Sequence, residues 1–174
     1  AQFYNLKGKR LLLIGNLIVA FITAFPLLYG AVLASYYMEG SWDSGDYVRS
    51  TIFWSMILLS ILGREVAKGI VDVEGDRVAG VRTIANTYGA RVAGFTALSL
   101  YLAAVALSFT AALLGVVNTL PYLAIIAPVG LLALVEGLSL AFNPTRERAL
   151  SHKRRVLLLM LIAMIGLYIG SSGL

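Results

Sequence analysis

The sequence contains no cysteine in its 174 residues. Disulfides and cysteine-ligated metal sites are therefore excluded, and the redox compartment leaves no trace. Histidine is nearly as scarce. The single His152 cannot build a histidine metal cluster, so a bound metal would have to rest on carboxylates. Acids are also few, nine against fourteen Lys and Arg, and charged residues of both signs make up only 13%. What fills the chain is apolar: 59% hydrophobic residues and a mean hydropathy of +0.85. That balance excludes a soluble domain and makes the chain an integral membrane protein of the all-α class.

A helix needs roughly 20 mainly apolar residues to cross the hydrocarbon core. Five stretches qualify: about Leu11–Met38, Val48–Gly63, Ala90–Val117, Leu120–Phe142 and Val156–Gly170. The second reaches spanning length only by running on toward Ile70, so its end must carry charge. Pro26 predicts a kink in the first. Thirteen of the fourteen cations lie in the N-terminal segment, the second loop and the fourth loop; only Arg49 flanks the other side. The positive-inside rule then puts the N-terminus and loops two and four in the cytoplasm. The net charge of +5 is thus a topology signal, and nucleic acid is not among the expected partners. The opening "AQFYNLKGKR" is a basic loop without a signal-peptide pattern, which predicts an interior stretch of a longer polypeptide.

The chemistry concentrates in "REVAKGIVDVEGDRVAGVRT", Arg64–Thr83. If the second helix continues past Gly63, then Arg64, Lys68, Asp72 and Asp76 recur every four residues along one face. Asp72 and Asp76 would then have Cβ atoms about 5–6 Å apart. Two carboxylates at that spacing suit one hard divalent ion such as Mg²⁺, which takes one or two carboxylates plus phosphate oxygens and water. The neighbouring cations would meet the same phosphates, and a diphosphate fits the arrangement. A second reading stands beside this one: Lys68 and Asp72 as an ordinary ion pair on a solvated juxtamembrane face. Position favours chemistry, because three of the nine acids, Asp72, Glu74 and Asp76, fall within five residues at a membrane mouth.

These residues carry a resemblance. "DVEGDRVAGVRT" after "REVAK" resembles the second aspartate-rich motif of the UbiA superfamily of intramembrane prenyltransferases. "YNLKGKRLLLIGNLIVAFITAFPLLYGA" is similar to the connection and helix upstream of it. The resemblance implies a nine-helix bundle of which residues 1–174 form the C-terminal part of one domain, helices five to nine. The first aspartate motif of the family, N-x-x-x-D-x-x-x-D, is absent from this sequence. Its N-terminal helices are thus implied as a partner. By the same resemblance, Asp72 and Asp76 hold Mg²⁺ at the cytoplasmic mouth, in the cell membrane. Lys68, with Arg64, serves an allylic prenyl diphosphate whose tail lies in an apolar cavity among membrane lipids. Within the superfamily the stretch is most similar to the archaeal ether-lipid branch. That implies geranylgeranyl diphosphate as donor and geranylgeranylglyceryl phosphate as acceptor. An aromatic acceptor of the 4-hydroxybenzoate type remains the alternative, since the motif handles the diphosphate that both share. The "TIA" of Thr83–Ala85 departs from the family's usual Thr-Leu-Pro at a turn.

Other residues keep two readings. Tyr4 and Lys7 match the family's loop that approaches the diphosphate from the other side; as plain side chains they anchor the membrane interface. Asn16 and Thr23, seven apart, either line the cavity or bond between helices. Lys153 either reaches a phosphate or belongs, with His152, to a topology-setting basic loop. Glu136 is the acid well inside a helix and reads as a paired structural group ahead of a functional one. Gly166 and Gly170 form a G-x-x-x-G that predicts close helix packing. A CDP-alcohol phosphotransferase is excluded because its D-G-x-x-A-R is missing. A non-enzymatic transporter or assembly subunit would show a polar path at mid-membrane, of which Glu136 is the single hint.

Overall fold

The computed structural model describes residues 14–37 and 43–172. Among them every regular element is a helix, and five are long and apolar enough to span a bilayer. They are α1 (Ile14–Tyr37), α2 (Ser44–Val71), α5 (Ala90–Leu113), α6 (Thr119–Phe142) and α7 (Arg146–Ser171). Two short helices, α3 (Val73–Val78) and α4 (Ile84–Tyr88), lie between α2 and α5. The polytopic helix bundle expected from hydropathy is therefore what the chain forms.

Local chemistry sets the ends. Asp43 caps α2 by accepting from the Asp46 amide at 3.0 Å, and the Asp46 carboxylate returns the bond to the Asp43 amide. Thr83 and Asn86 build the same reciprocal cap for α4, so the "TIA" departure falls on a helix start. Gly89, at φ +96°, joins α4 to α5 in a conformation that a side chain would strain.

One expected boundary holds and one moves. α2 begins at Ser44 and runs unbroken past Gly63 to Val71, the continuation toward Ile70 that spanning length required. α7 begins at Arg146, ten residues before the expected Val156, so the basic "loop" is helix. Thr145 starts it by accepting from the Arg148 amide at 3.2 Å. The turn continues because Ala149, His152 and Val156 recur at helical spacing and are all buried, while Arg154 and Arg155 on the other faces remain exposed.

α2 is central. It packs against α1, α5 and α7, and α5–α6–α7 close the remaining group. One core cluster gathers Val66, Ile70, Ile84, Tyr101, Leu140 and Val156. A second, at the other end of the bundle, gathers Phe53, Met56, Tyr122, Ile126 and Leu167. The expected small-residue packing is present at α7. A Cβ on Gly170 would lie 2.6 Å from Cδ2 of Tyr122, and one on Gly166 would lie 3.0 Å from Ile125 and Ile126. The glycines let α6 and α7 approach in a membrane, where helix association relies on close contact.

Candidate functional site

The charged stretch lies where α2 ends. Val71 is the last residue of α2, and Asp72 (φ −103°, ψ 11°) separates it from α3. The predicted single helix is thus interrupted at Asp72, but the turn itself persists: the Asp76 amide donates to the Asp72 carbonyl at 2.8 Å. Asp72 and Asp76 therefore remain one turn apart. The Asp76 amide–carbonyl link is backbone only; the Asp72 side chain makes no cap hydrogen bond.

Neither carboxylate has a hydrogen bond or ion pair among the described residues. Asp72 is exposed and Asp76 half-buried. Burial and the adjacent Asp72 charge hold the Asp76 carboxyl above its ordinary range, and Lys68 draws it partway back. Two hard oxygen donors that repel one another, without a protein cation bound to either, fit a divalent ion. No cluster of three or more metal-ligating side chains exists among the described residues. The protein would supply two donors and leave the other positions to phosphate and water.

The cations that the stripe predicted beside Asp72 are turned elsewhere. Lys68 Nζ lies 3.4 Å from Oε2 of Glu65, and Arg64 Nη1 lies 3.1 Å from Oε1 of the same carboxylate. Arg64 Nε is buried and has no hydrogen-bond partner. Glu65, with 11% of its side chain exposed, is the charged residue at this end of the helix that spacing did not single out. Its signal in the sequence was its place beside Arg64 and three before Lys68.

Arg64 and Glu65 form the charged end of a cavity of ≈ 280 Å³ between α1, α2 and α7. Val19, Met56, Ile57, Leu157, Met160 and Leu167 are among its apolar walls. Thr23 and Ser60 are its hydroxyl groups. Thr23 bonds to the Val19 carbonyl of its own helix at 2.7 Å, so it lines the cavity and does not bridge to a neighbour. Asn16 is half-buried about two turns earlier on α1. Lys153 is half-buried on α7 and is not among the residues lining this cavity. Tyr4 and Lys7 lie outside the described residues.

His152 is not in a loop. It is fully buried, and its Nε2 lies 3.0 Å from the Tyr101 hydroxyl. Glu136 receives a hydrogen bond from Arg155 Nη1 at 2.7 Å, the paired structural role expected of it. These groups tie α5, α6 and α7 together at the same end of the bundle as Arg64.

Known proteins resemble the chain over almost its whole length. A family model, the UbiA prenyltransferase family, matches residues 2–165. The digeranylgeranylglyceryl phosphate synthase of Archaeoglobus fulgidus is 31% identical over 170 residues, 97% of this chain and 55% of that protein. The enzyme of the same name from Ignicoccus hospitalis is 32% identical over 168 residues, 96% of this chain and 54% of that one. A solved structure, from work on structural and mechanistic insights into the biosynthesis of digeranylgeranylglyceryl phosphate synthase in membranes, superposes with a TM-score of 0.86 at 28% identity. It is matched over 99% of this chain and 57% of its own. The chain spans about half the length of the curated relatives it matches. A helical membrane bundle, a pair of unpartnered aspartates one turn apart and a family match over nearly every residue agree: the chain belongs to the UbiA prenyltransferase family.

Proposed function

We propose that this chain is the C-terminal part of a Mg²⁺-dependent prenyltransferase that moves a geranylgeranyl group from its diphosphate to geranylgeranylglyceryl phosphate in ether-lipid synthesis. The observation that carries the reading is a juxtaposition. Asp72 and Asp76 stand unpartnered at the end of α2. About two turns back along that helix, Arg64 and Glu65 open an apolar cavity. A ligand suited to this arrangement has a strongly anionic head and a long apolar tail, as a prenyl diphosphate does. The names of the relatives support the ether-lipid acceptor.

Asp72 and Asp76 would hold Mg²⁺, which supplies charge stabilisation to the departing diphosphate. Arg64 and Lys68 offer guanidinium and ammonium donors to the same oxygens, preset in an environment of little water. The walls between α1, α2 and α7 hold the prenyl tail and shield an allylic cation from hydrolysis. Tyr4, Lys7, Asn16 and Lys153 are assigned to the rim of the substrate site. The mouth faces the cytoplasm of a cell membrane, in keeping with the thirteen cations on that side. The missing first aspartate motif is assigned to N-terminal helices that complete the bundle.

The deciding experiment is a competition. The complete enzyme carrying this chain receives geranylgeranyl diphosphate, with geranylgeranylglyceryl phosphate and 4-hydroxybenzoate at equal concentration. The ether lipid should dominate the products separated by mass. A dominant prenylated aromatic acid would overturn the acceptor assignment.

A further inference from the structure

Glu65 is the carboxylate among the residues lining the cavity between α1, α2 and α7. The other polar lining groups are the Thr23 and Ser60 hydroxyls and the Arg64 guanidinium, none of which takes up a proton near neutral pH. Attack by a hydroxyl on an allylic centre releases a proton, and something at the cavity must accept it.

Two cations hold the Glu65 carboxylate, one on each oxygen: Arg64 lies 3.1 Å from Oε1 and Lys68 3.4 Å from Oε2. Tyr101 of α5 also lies within electrostatic reach of both Arg64 and Glu65. The cations are not committed to Glu65 alone. Arg64 Nε is buried with no partner, and the Lys68 side chain is 41% exposed. A diphosphate presents more negative charge than one carboxylate and more oxygens for bidentate contact. It would draw both cations, and the Glu65 oxygens would be left free to accept from a substrate hydroxyl in a mainly apolar wall.

Resting on the prenyl-transfer reading above, we infer that Glu65 is the general base for the acceptor hydroxyl, masked by Arg64 and Lys68 until donor diphosphate takes those cations over. The bond between C1 of the prenyl group and the bridging oxygen breaks, and its electron pair leaves with the diphosphate. A lone pair of the acceptor oxygen forms the new carbon–oxygen bond. The hydroxyl proton passes to the Glu65 carboxylate and from there to water. Because donor binding exposes the base, the acceptor is activated only when there is a cation for it to meet.

The test is a product ratio in the complete enzyme, with geranylgeranyl diphosphate and geranylgeranylglyceryl phosphate supplied together. Two products are measured, the ether lipid and geranylgeraniol, which forms when water captures the cation. Glu65→Gln keeps size and hydrogen bonding but removes the base. Ether formation should fall about a hundredfold, within the usual range for a general base. Alcohol formation should persist, and donor KM should stay level or drop because Arg64 and Lys68 lose their counter-charge. Glu65→Asp should recover part of the ether. The ratio does not depend on how much enzyme is folded. An unchanged ratio overturns the inference. So does joint loss of both products with a raised donor KM, which would make Glu65 only an anchor for its two cations. If the wild-type enzyme forms neither product, it is the prenyl-transfer reading that fails, and this inference falls with it.

Discussion

The Tyr101 hydroxyl and Nε2 of His152 lie 3.0 Å apart, joining α5 to α7 across 51 residues of sequence. Tyr101 is 3% exposed and His152 not exposed at all. Water cannot replace either partner, so the pair is worth most when it is intact.

His152→Phe should therefore lower stability by about 1–3 kcal/mol, the cost of leaving a buried hydroxyl unsatisfied. Thermal unfolding in detergent measures it. The double variant Tyr101→Phe with His152→Phe should recover much of the loss, because no polar atom is then stranded. A double variant no more stable than the single one would show that packing, not the hydrogen bond, sets the cost.

Asp72→Ala and Asp76→Ala should each reduce prenyl transfer by roughly a hundredfold or more, the scale of losing a preorganised electrostatic contact. Circular dichroism and melting temperature should stay near wild type, since neither carboxylate bonds to the protein. Excess chelator should silence the wild type to the same degree. Undiminished turnover in chelator would remove the metal assignment.

Arg64→Ala and Lys68→Ala should weaken binding of geranylgeranyl diphosphate by roughly tenfold each, as expected for one charge-assisted hydrogen bond. Binding of geranylgeraniol should change much less. Calorimetry or a competition assay with both ligands distinguishes the cases, and equal losses would mean that these cations do not meet phosphate.

Gly170→Ala should destabilise by about 1–3 kcal/mol through overpacking. The added methyl would press on the Tyr122 ring, which is fully buried and whose hydroxyl donates to the Ser108 carbonyl at 3.2 Å. Gly30→Ala, where no atom lies within 4 Å, is the control and should be neutral or slightly stabilising. Melting temperatures of the two variants that move together would refute the close-packing account.

Hydropathy made all five spanning helices legible, because a bilayer core demands runs of a minimum length. It also carried α2 toward Ile70, since only that extension reaches spanning length, but it failed at the start of α7. Arg146–Arg155 looks like loop when only cations are counted. It is helical because one stripe, Ala149 with His152 and Val156, is buried against neighbours. The aspartate pair was readable from spacing, since one turn of helix keeps Asp72 and Asp76 adjacent even across the break. The direction of the cations was not. Arg64 and Lys68 have long, flexible side chains, and which carboxylate they choose depends on the rotamers of Glu65 and Asp72. Neighbours in a helix do not ordinarily face one another, so the Arg64–Glu65 contact lay outside any spacing rule.

α1 meets α2 through Ala20 and Ala24, its two buried residues, and the preceding positions Val19 and Thr23 form part of the cavity wall. A methyl group is a short, rigid spacer with no rotamer to change. At these two positions the seam has no adjustable part, while elsewhere along it the rings of Phe21 and Trp54 meet edge to face at 5.9 Å. The two alanines thus help to fix how near α1 stands to α2, and with it the place of the Val19 and Thr23 wall.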